Sequence, residues 1–475
     1  MACAVLRYIY CLVGLLSCLG TVPAHAQNQP LALRWSAGLS MPPDVTTQAG
    51  PARTGDAWPT LLSRAALRAP ASLGAQAGVL AGLAKWDQTR ATAWMPRVDA
   101  AAGARHAVQT SQGDTVRTPS SELTLAATLP IWRGADRALS QAQSAEADQL
   151  AWQARRTRMS VAEQLSLAYL QACEAAEQGR LVQTQQALLE EQRYINERRL
   201  QAGVGTVLDV LETSTRVEQA RAQAQDIATR LRSQGLLLEK FTGEPVALPA
   251  GLRADVPGVP QVVPPLDEAL ALAWQHNPAR QAALAQQHVA QATLQARDAE
   301  RWQPTLDAQA SWQRNQQGTY TEAARTEQRS QTRSVGLQLN WPLYTGGFQD
   351  GRSREAAALL TQAQAQLDEA DAETTAVLRD AYQTLAGARQ AISVQQALQA
   401  TATAAYEALR KAFAAGTRSN LDLLNAQQQI YAARQGLVSA RINALVAQVT
   451  ILAALDQLDG QHIAPLIPLV DHDTL

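Results

Sequence analysis

The six histidines, at positions 25, 106, 276, 288, 462 and 472, are natural candidates for binding a metal or moving a proton. None lies in a His-Glu-x-x-His pair or at another close ligand spacing, so no metal site is expected. No Gly-x-x-x-x-Gly-Lys-Ser/Thr loop is present to cradle phosphates, so the chain is not expected to hydrolyse ATP. No Gly-x-Ser-x-Gly elbow presents a serine nucleophile, and Cys173 falls mid-helix with no histidine at helical spacing. These absences argue against an enzyme and against a bound cofactor. Two charged residues at a glycine-containing turn remain. Read alone, Asp422 is a solvated turn residue and Arg418 an ordinary cation near a helix C-terminus.

The elements that position these residues follow from composition and pattern. The chain has 475 residues, 41 Lys plus Arg against 42 Asp plus Glu, and a net charge of -1. No basic excess exists to neutralise phosphates, so nucleic acid is not expected as a partner. Only Lys85, Lys240 and Lys411 are lysines, and phenylalanine occurs 3 times. A chain dominated by Ala, Gln and Leu suits long, closely packed helices better than a compact aromatic core. No apolar run long enough to span a membrane as a helix is expected beyond the N-terminus.

Residues 1–26 have the form of a secretory signal. Arg7 supplies the positive region, Ile9 to Leu19 the apolar stretch, and Ala24-His25-Ala26 a small-residue cleavage site. Cys3, Cys11 and Cys18 lie inside it, leaving Cys173 without a disulfide partner. Leu15-Leu16-Ser17-Cys18 is an alternative lipidation signal; export is expected either way. An irregular segment, 27–55, follows.

Two halves then repeat. Trp94-Met95-Pro96 matches Trp302-Gln303-Pro304 at an offset of 208, which Pro70 and Pro278 share. Pro130-Ile131-Trp132-Arg133-Gly134 matches Pro342-Leu343-Tyr344-Thr345-Gly346, and Ala202-Gly203 with Leu208-Asp209-Val210-Leu211 matches Ala415-Gly416 with Leu421-Asp422-Leu423-Leu424. Four matches in one order indicate an internal repeat. The halves are 56–240 and 266–460, joined by a proline-rich linker, 241–265, and followed by a tail, 461–475. Each half reads helix, strand, strand, long helix, break, helix. The first helices cover roughly 57–94 and 266–302.

In 122–131, Leu123, Leu125, Ala127, Leu129 and Ile131 share one face; in 334–343, Val335, Leu337, Leu339, Trp341 and Leu343 do so. Segments 97–108 and 305–314 are their weaker partners, and polar connections are expected at 109–121 and 315–333. Such alternation fits half-buried soluble strands or a membrane barrel. Trp94, Trp132, Trp302, Trp341 and Tyr344 cluster at the strand ends, where an aromatic girdle would sit. The proline-free stretches 135–200 and 352–414 predict helices of about 100 Å, each turning at a glycine into a return helix, 206–240 or 420–458. Four strands cannot close a barrel, whereas three chains would supply twelve.

These features resemble those of TolC-family outer-membrane channels over nearly the whole chain beyond residue 56. The most specific piece is Ala415-Gly416-Thr417-Arg418-Ser419-Asn420-Leu421-Asp422-Leu423-Leu424-Asn425, which is similar to the family's turn at the periplasmic entrance. The resemblance implies a mainly α protein with a small membrane β-barrel portion: a homotrimer with a twelve-stranded barrel in outer-membrane lipid and a long periplasmic α-helical barrel. It also implies docking to a periplasmic adaptor and an inner-membrane ABC transporter or proton-driven pump. The function implied is a passive conduit for type I protein secretion, with export of an adenylate cyclase–haemolysin toxin the nearest likeness. Multidrug efflux is the alternative, and an exported coiled-coil adhesin or scaffold the alternative of another class. Carried over by position, Asp422 forms an acidic pore constriction, and Asn425 replaces the acid of a second ring. Arg418 is expected to link to Asp209 as a gate, while Phe413 lacks the hydroxyl that would also reach Asp209.

Overall fold

The computed structural model describes residues 58–111, 114–253, 258–320, 325–415 and 417–471. The expected signal, Cys18 and segment 27–55 lie outside these. The elements run α1 (Trp58–Arg68), α2 (Pro70–Trp94), β1 (Arg97–Ser111), β2 (Asp114–Arg133), α3 (Gly134–Gln201), α4 (Val207–Thr242) and β3 (Gly251–Leu252). They continue α5 (Leu266–His276), α6 (Pro278–Trp302), β4 (Thr305–Tyr320), β5 (Arg325–Asn340), α7 (Phe348–Ala414), α8 (Asn420–Ala454), a 3-10 turn (Ala464–Leu469) and β6 (Val470–Asp471).

The first helix of each half is broken at the matching proline. Pro70 and Pro278 each stand at the first helical position, where a missing N–H costs nothing. Asn277 caps α6 by accepting from the N–H groups of Ala279 and Arg280. In the first half Ala69 takes that place without a side-chain cap, so the expected continuous helix over 57–94 is two helices.

Four antiparallel strands form a sheet in the order β1-β2-β4-β5. All four helix-side ends adjoin α2, α3, α6 or α7, so the sheet stands beyond the helices' ends. The strands outrun the alternation that announced them. Most of the polar segments 109–121 and 315–333, expected as connections, pair as strand: Ser121 with Gln316, Gln317 with Gln328 and Asn315 with Ser330. Backbone ladder bonds do not need apolar side chains, so pairing continues where the hydrophobic pattern stops. At its other end β5 stops at Asn340, short of the expected 343, because Pro342 has no N–H to donate.

Every residue of β5 is exposed, and Val335, Leu337 and Leu339 are 80%, 71% and 64% exposed. The helix-side end of the sheet is tied by Arg133, whose Nε and Nη2 donate to the two carboxylate oxygens of Asp307 at 2.8 and 2.9 Å. This two-bond geometry fixes the angle between β2 and β4 where a bulge between Pro130 and Trp132 shifts the register. Trp94, Trp132, Trp302, Trp341 and Tyr344 all lie exposed around this end, and Arg137 sits 3.9 Å from the Trp94 ring centroid.

The core lies midway along α3 and in the C-terminal half of α8. Trp58 and Tyr169 stack at 5.6 Å, and Trp58 Nε1 donates to Ser166 Oγ. Leu165, Leu445, Ile451 and Leu452 surround them, joined by Ile463, Leu466 and Leu469 of the tail. Residues 463–470 of the tail are therefore packed, and β6 pairs with β3, a short strand inside the proline-rich linker. One expectation is corrected. An 18-residue window of α8 has a mean hydropathy of 1.6, enough by length and composition to cross a membrane. That window is 67% buried within the fold, so protein already covers most of it, as in a core helix.

Candidate functional site

The long helices end in two turns built alike. At the first, Gly203 adopts φ +77 after the last turn of α3, a left-handed conformation that favours glycine. At Gly205 a Cβ would stand 2.9 Å from the Leu200 amide nitrogen, so the chain doubles back on its own backbone there. Thr206 then caps α4: Asp209 N donates to Thr206 Oγ1 at 3.1 Å, and Thr206 N donates to Asp209 Oδ2 at 3.1 Å. At the second turn Ser419 and Asp422 repeat the arrangement, with both reciprocal bonds at 3.2 Å. Each pair is a capping box that satisfies two orphan N–H donors at a helix start. The Thr-x-x-Asp and Ser-x-x-Asp spacings carried that signal in the sequence.

Asp422 lies at the surface of this turn. Its carboxyl is held below its ordinary value by the hydroxyl and N–H of Ser419, helped by the charge of Arg418. Arg418 is exposed and, among the described residues, forms no hydrogen bond or ion pair; the Asp209 carboxylate is instead engaged by Thr206. In this single chain the structure therefore does not join Arg418 to Asp209. Phe413 has a different partner: the Arg199 guanidinium lies 4.7 Å from its ring centroid, a cation–π contact between the ends of α7 and α3. Asn425 Oδ1 accepts from Arg216 Nη2 at 3.2 Å, linking α8 to α4.

Three buried polar residues with no sequence signal bind these turns together. Asn196 of α3, Thr213 of α4 and Asn420 of α8 are 2%, 0% and 2% exposed. Asn196 Nδ2 donates to Thr213 Oγ1 at 2.9 Å and Asn420 Oδ1 at 3.2 Å, while Gln192 Nε2 donates to Asn420 Oδ1 at 3.3 Å. Thr213 Oγ1 donates to the Asp209 carbonyl at 2.7 Å. This buried knot fixes α8 to the first-half hairpin just inside both turns. Beside it, Leu189, Val217, Ala220 and Leu424 form a small apolar cluster. Local pattern does not mark these three residues, because Asn420 meets Asn196 and Thr213 across 224 and 207 residues of sequence.

The pattern of two helical hairpins carried on a four-stranded sheet matches one family model, that of the outer membrane efflux protein, over residues 61–244 and 269–457. The chain belongs to the outer membrane efflux protein family. The two matched stretches fall on the two halves and leave out most of the linker between them. Among its relatives, the alkaline protease secretion protein AprF of Pseudomonas aeruginosa is 31% identical over 315 residues, covering 62% of this chain and 62% of AprF. The proteases secretion protein PrtF of Dickeya chrysanthemi is 30% identical over 300 residues, covering 62% of this chain and 63% of PrtF. The matched region thus spans about three-fifths of each curated relative. The crystal structure of the outer membrane protein VceC from Vibrio cholerae superposes with a TM-score of 0.70 at 16% identity, over 84% of this chain and 96% of VceC. At that identity the likeness concerns the fold.

Proposed function

We propose that three copies of this chain close a twelve-stranded barrel in the outer membrane and continue it as a helical tunnel into the periplasm. The observation that carries this reading is the sheet itself. Among the described residues it has two unpaired edges, β1 and β5, and an apolar face whose β5 residues Val335, Leu337 and Leu339 lie exposed. In lipid each unpaired backbone group costs several kcal/mol, so the edges must find partners, and β5 of one protomer beside β1 of the next supplies them. The aromatic residues at the helix-side end then lie at the periplasmic membrane interface.

The work of the assembly is passive conduction in a tripartite export system. A periplasmic adaptor and an inner-membrane ABC transporter complete it, and the transporter supplies the energy. The names of AprF and PrtF, both secretion proteins for proteases, favour a polypeptide cargo over small molecules and so favour type I secretion over multidrug efflux with a proton-driven pump. Within that class, the specific cargo suggested by resemblance is an adenylate cyclase–haemolysin toxin. At the periplasmic mouth, three copies of Asp422 form the acidic constriction, with Asn425 one turn further along α8. In the closed trimer Arg418 links to Asp209, and Phe413 offers no hydroxyl to that link.

Purification from outer-membrane fractions tests the reading. A heat-modifiable trimer that conducts ions in planar bilayers is expected. A detergent-purified monomer that conducts would overturn it.

A further inference from the structure

The β4–β5 ladder decides which side chains share a face. Leu306 pairs with Leu339, Ala308 with Leu337, Ala310 with Val335, Trp312 with Arg333, Arg314 with Gln331, and Gln316 with Arg329. Directly paired residues point to the same side of a sheet, and side chains alternate along each strand. One face therefore runs from the helix end as Leu306, Leu339, Ala308, Leu337, Ala310, Val335 and Trp312. It then changes abruptly to Arg333, Arg314 and Arg329. Across the ladder, Arg329 and Arg333 are the two diagonal neighbours of Arg314, each roughly 7–8 Å away.

All three arginines are exposed, and none forms a hydrogen bond or ion pair with another described residue. Arg325 and Arg117 stand on the same face further out, each paired by register with Tyr320. Among the described residues of the four long strands, Glu327 is the only acid on this face, and it approaches the Tyr320 hydroxyl at 3.5 Å. A cleft of about 540 Å³ opens beside Arg329, lined by His106, Ser121, Gln316 and Tyr320 among others. Three like charges at the edge of an apolar band repel one another, and no described residue forms an ion pair with any of them.

We propose that Arg314, Arg329 and Arg333 form a binding site for the phosphate groups of a phosphorylated lipid in the outer leaflet. The inference rests on the barrel reading, which turns this apolar face towards lipid. Guanidinium forks match phosphate oxygens with paired hydrogen bonds. The apolar residues directly below would pack against acyl chains, which selects a lipid over free phosphate. Basic residues at a membrane surface each add appreciable attraction for anionic headgroups, roughly fivefold in affinity apiece.

The test titrates the intact detergent-purified trimer with lipid A bearing two phosphates, with dephosphorylated lipid A and with phosphatidylcholine. Bound lipids per trimer are counted by native mass spectrometry. The wild type should prefer the phosphorylated lipid by at least about tenfold, and the Arg314→Gln/Arg329→Gln/Arg333→Gln variant should bind it about a hundredfold less tightly. Arg97→Gln, on the other face, should bind as wild type, and millimolar inorganic phosphate should leave lipid A in place. If the triple variant fails to assemble, Arg314→Gln alone should show about a fivefold loss. Equal binding by the arginine variants and wild type, an equal loss in Arg97→Gln, or full displacement by inorganic phosphate overturns the site. A wild-type chain that forms no trimer overturns the barrel reading instead.

Discussion

Replacing Asn196 by Leu keeps roughly the volume of the side chain and removes its hydrogen bonding. The lost bonds are those to Thr213 Oγ1 at 2.9 Å, Asn420 Oδ1 at 3.2 Å and the Asp209 carbonyl at 3.4 Å, together with the one that Asn196 Oδ1 accepts from Gln192 at 3.2 Å. Thr213 keeps its bond to the Asp209 carbonyl, so the hydroxyl is not orphaned. The Asn420 amide, 2% exposed, keeps only the longer bonds to Gln192, Thr213 and Asp209, at 3.3, 3.4 and 3.5 Å. Under-satisfying a buried polar group costs about 1–3 kcal/mol, incurred once in each protomer. The loss falls where α8 is fastened to the first-half hairpin, so it should appear as easier local opening there. Amide hydrogen exchange by mass spectrometry, on the intact trimer, reads this directly. Exchange over residues 189–201 and 420–431 should accelerate by about five- to 150-fold. Residues near Trp58 and Tyr169 should exchange as in wild type, because that core is separate from the apolar cluster beside the knot. Rates within twofold of wild type at the tips, or equal acceleration along the whole of α3, would refute the knot as a local fastening.

Asp422→Asn should lower cation preference in reversal-potential measurements, since three copies lose their charge at the constriction. Because the Asp422 carboxyl titrates below its ordinary value, its charge persists as pH falls past that value and is lost only on passing the lowered one, so selectivity should fade late in an acid titration. Arg418→Ser should raise resting conductance if Arg418 holds the closed trimer, whereas Phe413→Tyr should lower it by adding a hydroxyl within the link; unchanged conductance in intact trimers counts against the gate. Asp456 is a buried acid at φ +59 beside Arg155, and burial raises its carboxyl above the ordinary value despite that cation. An acid raised on folding favours the protonated form, so stability should fall as pH rises from the ordinary value through the raised one; Asp456→Asn, tolerated in the left-handed region, should flatten that dependence in trimer heat-dissociation assays.

The parts of the fold written in local pattern were legible. Glycine and proline punctuation marked the helix ends, and alternation located the apolar faces of the strands. The strand lengths were not legible, because beyond Leu123 and Trp312 both faces are polar and only the backbone ladder continues. The break at Ala69 was hidden because no capping side chain stands before Pro70, unlike Asn277 before Pro278. At the candidate site, the turn aspartates were visible as a repeated motif. Their capping role was not read, although the three-residue spacing from Thr206 and Ser419 held the signal. The knot of Asn196, Thr213 and Asn420 was not, since it unites helices more than 200 residues apart in sequence and uses residue types common on exposed helix faces.

Barrel closure requires β5 of one protomer to pair with β1 of the next. Disulfide scanning tests it most directly: Ala101→Cys on β1 is combined in turn with Thr332→Cys, Ser334→Cys or Gly336→Cys on β5, with Cys173 replaced by Ser. These positions lie on the face opposite Leu337, so a neighbouring pair can bridge inside the barrel. Oxidation of at least one combination should give covalent trimers that survive boiling and revert to monomers on reduction. If no combination yields more than uncrosslinked monomer while each variant reaches the outer membrane, the edges do not meet and the barrel is not closed this way.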